Sequence, residues 1–112
     1  MNDAIQVFTT VDSEENAHTI AEALVGQQLA ACVQIVGPIT SIYRWQGEVE
    51  TSKEWLCLIK SRAGLFPALE ALVTQLHPYD VPEILAVPVT AGSKPYLAWL
   101  ERETRPPAKP VK

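Results

Sequence analysis

Two long β-rich runs, Ala31 to Trp45 and Glu48 to Ser61, are separated only by Gln46 and Gly47. A two-residue connection ending in glycine turns one strand directly into the next, so the runs pair as one antiparallel hairpin, with an interruption at Gly37-Pro38. At roughly 14 to 15 residues each and ~3.3 Å per residue, the hairpin reaches ~45 Å, well beyond the strand lengths usual in a small domain. Any fold of this chain has to be built around a ribbon that overhangs it.

The remaining periodicities place elements on either side of that ribbon. Ala4 to Val11 is β-rich and alternates loosely. Asp12 with Glu15 predicts a capping box opening a helix, in which Ala17, Ile20, Ala21, Leu24, Val25 and Gln28 recur at helical spacing through about Leu29, with Gly26 as a weak point. Leu65, Leu69, Leu72, Val73 and Leu76 mark a second helix, which tolerates Pro67 only in its first turn. Ile84 to Thr90 reads as a fourth strand, and Ser93 caps a short last helix holding Leu97 and Leu100. The order βαββαβ plus a C-terminal helix predicts an α+β, ferredoxin-like split βαβ fold, with antiparallel sheet order 4-1-3-2 and helices over one face. Prolines offer an internal check, because proline cannot donate to a ladder and belongs on edges. Pro38 and Pro88 fall in strands 2 and 4, the two edges of that order.

Helices over one face leave the other to water, yet Trp55-Leu56-Cys57-Leu58-Ile59 and Ile84-Leu85-Ala86-Val87 are apolar on both faces. Something must bury the second face. The far end of the hairpin, with Tyr43, Arg44, Trp45, Glu48 and Glu50, likewise needs a neighbour, unless the hairpin twists back over its own sheet.

At 112 residues the chain is expected to be one domain burying about two thirds of its unfolded surface. Two cysteines, a start Met-Asn-Asp-Ala-Ile without a basic leader, and no apolar run of ~18 residues lead to the expectation of a cytoplasmic protein that does not span a membrane. The net charge is −4, and the stretch from Thr104 carries Arg105, Lys109 and Lys112 against no acid, so residues 1–103 alone stand at −7. A body that acidic repels phosphate backbones, and nucleic acid is not an expected partner. Residues 104–112, rich in proline and lysine, read as a disordered tail following a domain of residues 1–103.

Between the second helix and the fourth strand, Leu76-His77-Pro78-Tyr79-Asp80-Val81-Pro82-Glu83-Ile84 holds an imidazole, a phenol and two carboxylates between two prolines. Proline and the residue before it are conformationally restricted, so the loop is stiff. It is either a candidate site or a rigid connection whose polar groups face water.

With these residues in view, the chain resembles the CutA family, named for divalent-cation tolerance, over about residues 5–103. The resemblance is carried by Leu29-Ala30-Ala31-Cys32-Val33-Gln34, Thr40-Ser41-Ile42-Tyr43-Arg44-Trp45-Gln46-Gly47, Ile59-Lys60-Ser61-Arg62 leading to Leu65-Phe66-Pro67, His77 to Ile84, and Tyr96-Leu97-Ala98-Trp99-Leu100. It implies a cytoplasmic ferredoxin-like homotrimer, similar in architecture to PII signalling proteins, with sheet faces turned inward and hairpins reaching across to neighbours. It also implies an association with copper and other divalent metals.

The soft ligands on offer are Cys32, Cys57, His18 and His77, and no short spacing joins two of them. Pairing about Gln46-Gly47 sets Cys32 opposite about residue 61, so Cys57 lies ~13 Å along the ladder and no disulfide forms. Cys57 between Leu56 and Leu58 reads as core, Cys32 as a structural thiol, and His18 as solvated. His77 is therefore the leading metal candidate, with Asp80 and Glu83 beside it and Cys32 available across an interface. One protomer supplies few strong ligands, so metal binding is expected to be weak or interface-dependent. A second candidate site comes from the resemblance, which gathers Tyr43, Trp45, Lys60, Arg62, Tyr79 and Trp99 around an intersubunit cleft. Aromatic walls with a cation suit a small anion or a planar metabolite, although the same aromatics serve equally as interface anchors.

Catalysis is not expected, since only His77 offers a base of suitable range and no glycine-rich phosphate loop is present. An RNA-binding sheet would need aromatics on its central strands and a basic surface, whereas strand 1 holds only Phe8 and the body is acidic. The expected function is that of a homotrimeric, copper-binding metal-tolerance protein. The alternative is a PII-like trimeric sensor of a small ligand, or a structural trimer, with incidental metal binding.

Overall fold

The computed structural model describes residues 2–107. Its elements are β1 (Ala4–Val11), α1 (Glu14–Gly26), β2 (Cys32–Trp45), β3 (Glu48–Arg62), a short 3-10 turn (Ala63–Leu65), α2 (Phe66–Leu76), β4 (Leu85–Pro88) and α3 (Lys94–Arg102). The strands form one antiparallel sheet ordered β2-β3-β1-β4, the expected 4-1-3-2 read from the other edge. Pro38 and Pro88 both lie on the outer strands, where a missing N–H removes no interior ladder bond.

Alternation along the strands divides the sheet into two unlike faces. Val7, Thr9 and Val11 of β1 and Cys57, Ile59 and Ser61 of β3 point at the helices and are fully buried against Ile20 and Leu24 of α1 and Leu69 and Val73 of α2. The opposite face carries Phe8, Leu56, Leu58, Leu85 and Val87. Leu85 there is 60% exposed and Val87 43%. It is apolar, as expected, and no element of the described chain covers it.

The hairpin projects and does not fold back. Every residue from Ile42 to Thr51 is exposed, and the molecule measures 44 × 34 × 24 Å. Its register differs from the simple expectation by one residue. Val36 pairs with Leu56 but Ile39 with Glu54, so a bulge at Gly37-Pro38 sets Cys32 opposite Lys60 instead of residue 61. The bulge lays the Gly37 backbone on the Trp55 indole, where a Cβ would come within 2.3 Å of the ring.

Two local expectations also shift. Ser13, not Asp12, caps α1: its extended backbone holds Oγ over the first turn to accept the Asn16 N–H at 3.1 Å, while Asp12 Oδ1 accepts from Asn16 Nδ2 at 2.9 Å. β4 is shorter than Ile84 to Thr90, because β1 pairs it only from Ile5 to Phe8. The stretch read as a tail from Thr104 is anchored at its start. Thr104 is buried and donates its hydroxyl hydrogen to the Leu100 carbonyl at 3.0 Å, the Arg105 N–H donates to Gln28 O at 2.9 Å, and Pro107 packs over Gly64. The rest of that tail, residues 108–112, lies outside the described residues.

Candidate functional site

The proline-braced loop returns from α2 across the C-terminal end of β1 and meets the root of the hairpin. His77 makes the first tie. Its Nδ1 accepts the Tyr79 N–H at 3.2 Å, which leaves Nε2 carrying the proton that it donates to the Thr10 carbonyl at 2.9 Å. The ring is buried, and burial holds its pKa below the ordinary imidazole value despite the Thr10 carbonyl and the nearby Asp12 and Glu54 carboxylates, which push the other way. Tyr79 makes the second tie, its hydroxyl donating to Glu54 Oε2 at 2.8 Å. Burial and that carboxylate raise the phenol pKa.

Between loop and hairpin lies a cleft of about 540 Å³, lined by Ser41, Ile42, Tyr43, Trp45 and Glu54 from the hairpin, Thr10 from β1, and Tyr79, Asp80, Val81 and Glu83 from the loop. Pairing of Tyr43 with Glu50 and Trp45 with Glu48 puts both aromatics on the same ribbon face as Glu48, Glu50 and Glu54. Arg44 and Lys53 fall on the reverse face. The ribbon is thus aromatic and acidic on the cleft side, basic on the other.

The expected site residues separate into three groups. Tyr43, Trp45 and Tyr79 do share the cleft, together with Asp80 and Glu83. Lys60, Arg62 and Trp99 do not line it: Lys60, ~20 Å along β3 from Glu54, donates to Gln6 Oε1, Arg62 one pleat further on pairs with Asp3 at 3.2 Å, and Trp99 lies on α3 with its ring 5.5 Å from Tyr96. Within one protomer the cleft is therefore lined by three carboxylates and no base. The third group is the metal set. His77, expected as the leading ligand, has both nitrogens engaged by backbone, and Cys32 sits opposite Lys60, four residues along β3 from the partner of Thr10. Burial pushes the Cys57 thiol up to about 11, far from thiolate character. Among the described residues, no three His, Cys, Asp or Glu side chains gather to hold a metal ion. The residues of a single protomer do not fit a bound divalent cation.

Sequence reading missed Glu54. It is 93% buried by the returning loop, since only 7% of its surface is exposed, and no basic side chain pairs with it among the described residues. Its one local signal is an acid at the mouth of the apolar run Trp55 to Ile59.

The family model for the CutA1 divalent ion tolerance protein matches residues 5–103. The chain belongs to the CutA1 family. The divalent-cation tolerance protein CutA of Thermus thermophilus is 55% identical over 98 residues, covering 88% of this chain and 95% of that protein. Its solved structure superposes with a TM-score of 0.89 at 53% identity, over 91% of this chain and 99% of that one. A CutA of Archaeoglobus fulgidus, described as periplasmic, gives a TM-score of 0.87 at 34% identity, over 89% of this chain and 97% of that one. The CutA1 fold thus holds over about nine-tenths of the chain.

Proposed function

We propose that this CutA1 chain works as a homotrimer in divalent-cation tolerance, holding copper weakly at sites completed between subunits, and that it does so in the cytoplasm. One observation carries the reading. The sheet face bearing Phe8, Leu56, Leu58, Leu85 and Val87 is apolar and uncovered, and the hairpin beside it extends past its own body. A second copy would bury both, and the number three is carried over from the family resemblance. The incomplete ligand set within one protomer supports a site shared between copies, formed by Cys32, Asp80 or Glu83 of one chain with those of another. Light scattering should give three times the 12.3 kDa chain mass, and calorimetric titration with copper(II) should show binding that disappears when the assembly is dissociated. A monomer, or equal copper affinity in monomer and assembly, overturns the reading.

The second reading, a PII-like trimeric sensor of a small ligand, is favoured by the cleft itself, which is large enough for a metabolite and lined by groups of definite chemistry. No catalytic step belongs to either reading.

A further inference from the structure

Gly64 sits in the 3-10 turn between β3 and α2, and nothing in its own backbone calls for a glycine, because its φ lies outside the left-handed region. Among the described residues, a Cβ there would meet only Pro107, whose Cβ and Cγ would both stand 2.8 Å away. The missing side chain is therefore a seat for the C-terminal segment.

A second hold lies at the end of α1. Gln28 closes that helix in the left-handed conformation, φ 58°, and the Leu29 N–H turns back to the Leu24 carbonyl at 2.9 Å. The Gln28 carbonyl, left over by this turn, accepts the Arg105 N–H at 2.9 Å. Thr104 supplies the third hold, buried and donating its hydroxyl hydrogen to the Leu100 carbonyl. Three residues thus fasten the end of α3 to itself, to the α1–β2 connection and to the β3–α2 connection. By contrast α3 is shallowly seated, since Leu100 alone of its nine residues is buried.

We propose that residues 104–107 are a latch that holds α3 on the body, closed by Pro107 on Gly64 and by the Arg105 amide on Gln28, and that opening of this latch frees the end of α3 ahead of global unfolding. The cooperative unit of this chain therefore runs past residue 103, where the family match ends.

The test is a double-mutant cycle in the full-length chain on Gly64→Ala and Pro107→Gly, read from urea midpoints. In the parent, the Gly64→Ala methyl pushes Pro107 off its seat and the midpoint should fall. In the Pro107→Gly chain the same methyl meets no atom and, at an ordinary φ, restricts the unfolded state, so the midpoint should rise. Tryptic release of residues 103–112 reads latch opening directly, because Arg102 is the only trypsin site after Arg62: Lys94, Arg105 and Lys109 each precede a proline, and Lys112 is the last residue. Gly64→Ala, Pro107→Gly and Thr104→Val should each speed that release, on the order of tenfold. A Gly64→Ala effect of the same sign and size in both backgrounds, or a release rate indifferent to Pro107→Gly and Thr104→Val, overturns the proposal.

Discussion

Tyr79 donates its hydroxyl hydrogen to Glu54 at 2.8 Å and thereby fastens the 77–83 loop to the root of the hairpin, twenty-five residues away in sequence. This bond decides the shape of the cleft, because it joins the wall made by β2 and β3 to the wall made by the loop.

Tyr79→Phe deletes the donor and leaves a buried carboxylate with no hydrogen bond. The expected loss is ~1–3 kcal/mol, the penalty for an unsatisfied buried acceptor, read from urea midpoints. Combining it with Glu54→Gln should lose much less than the two single changes added together, which a double-mutant cycle reports.

The buried His77 makes stability depend on pH in a defined direction. Its folded-state pKa lies below the ordinary 6.5, so the unfolded chain binds the proton first. Stability therefore falls as pH is lowered from about 6.5 toward the folded pKa, and protonation of Nδ1 removes the acceptor for the Tyr79 N–H. Denaturation midpoints at intervals between pH 7.5 and 5 should decline for the parent and decline less for His77→Gln.

Leu85→Lys distinguishes a lone chain from an assembly. Leu85 is 60% exposed in the single protomer, where a lysine would change stability by no more than about 0.5 kcal/mol. In an assembly that covers this face the same lysine is buried without a partner, so the mass by light scattering should fall and the melting temperature with it. Unchanged mass and melting temperature would mean that the face stays open to water.

At Gly37 the limit is steric. Gly37→Ala drives a methyl group into the Trp55 ring, 2.3 Å from Cδ1, and should cost ~1–3 kcal/mol through displacement of the indole. Near-ultraviolet circular dichroism checks whether the ring has moved.

Much of the fold is legible from local pattern because its signals are periodic or punctuated. Ala4 to Val11 alternates loosely, Gln46-Gly47 reverses the chain, and the two strand prolines mark the edges. What local pattern does not carry is the choice between neighbours of equal chemistry, as with Asp12 and Ser13 at the α1 cap, or the one-residue slip at Gly37-Pro38, which depends on Trp55 across the ladder. The site follows the same division. The loop from His77 to Glu83 stands out by composition and does wall the cleft, but its imidazole is spent on the Thr10 carbonyl and the Tyr79 amide. Glu54 is invisible to pattern, since a strand acid becomes buried only when a distant segment folds over it.

The placement of β1 sets the order in which this molecule can be completed. β1 precedes the other three strands of the sheet in sequence, but it lies in the middle of the sheet, with partners at residues 55–62 and 85–88. The β2-β3 ribbon closes on itself across two residues and can form as soon as it leaves the ribosome, whereas β1 must wait for one neighbour and then, much later, for the other. A chain interrupted before Leu85 holds β1 with one raw edge, open to any strand that meets it, and the four residues of β4 are what close that edge.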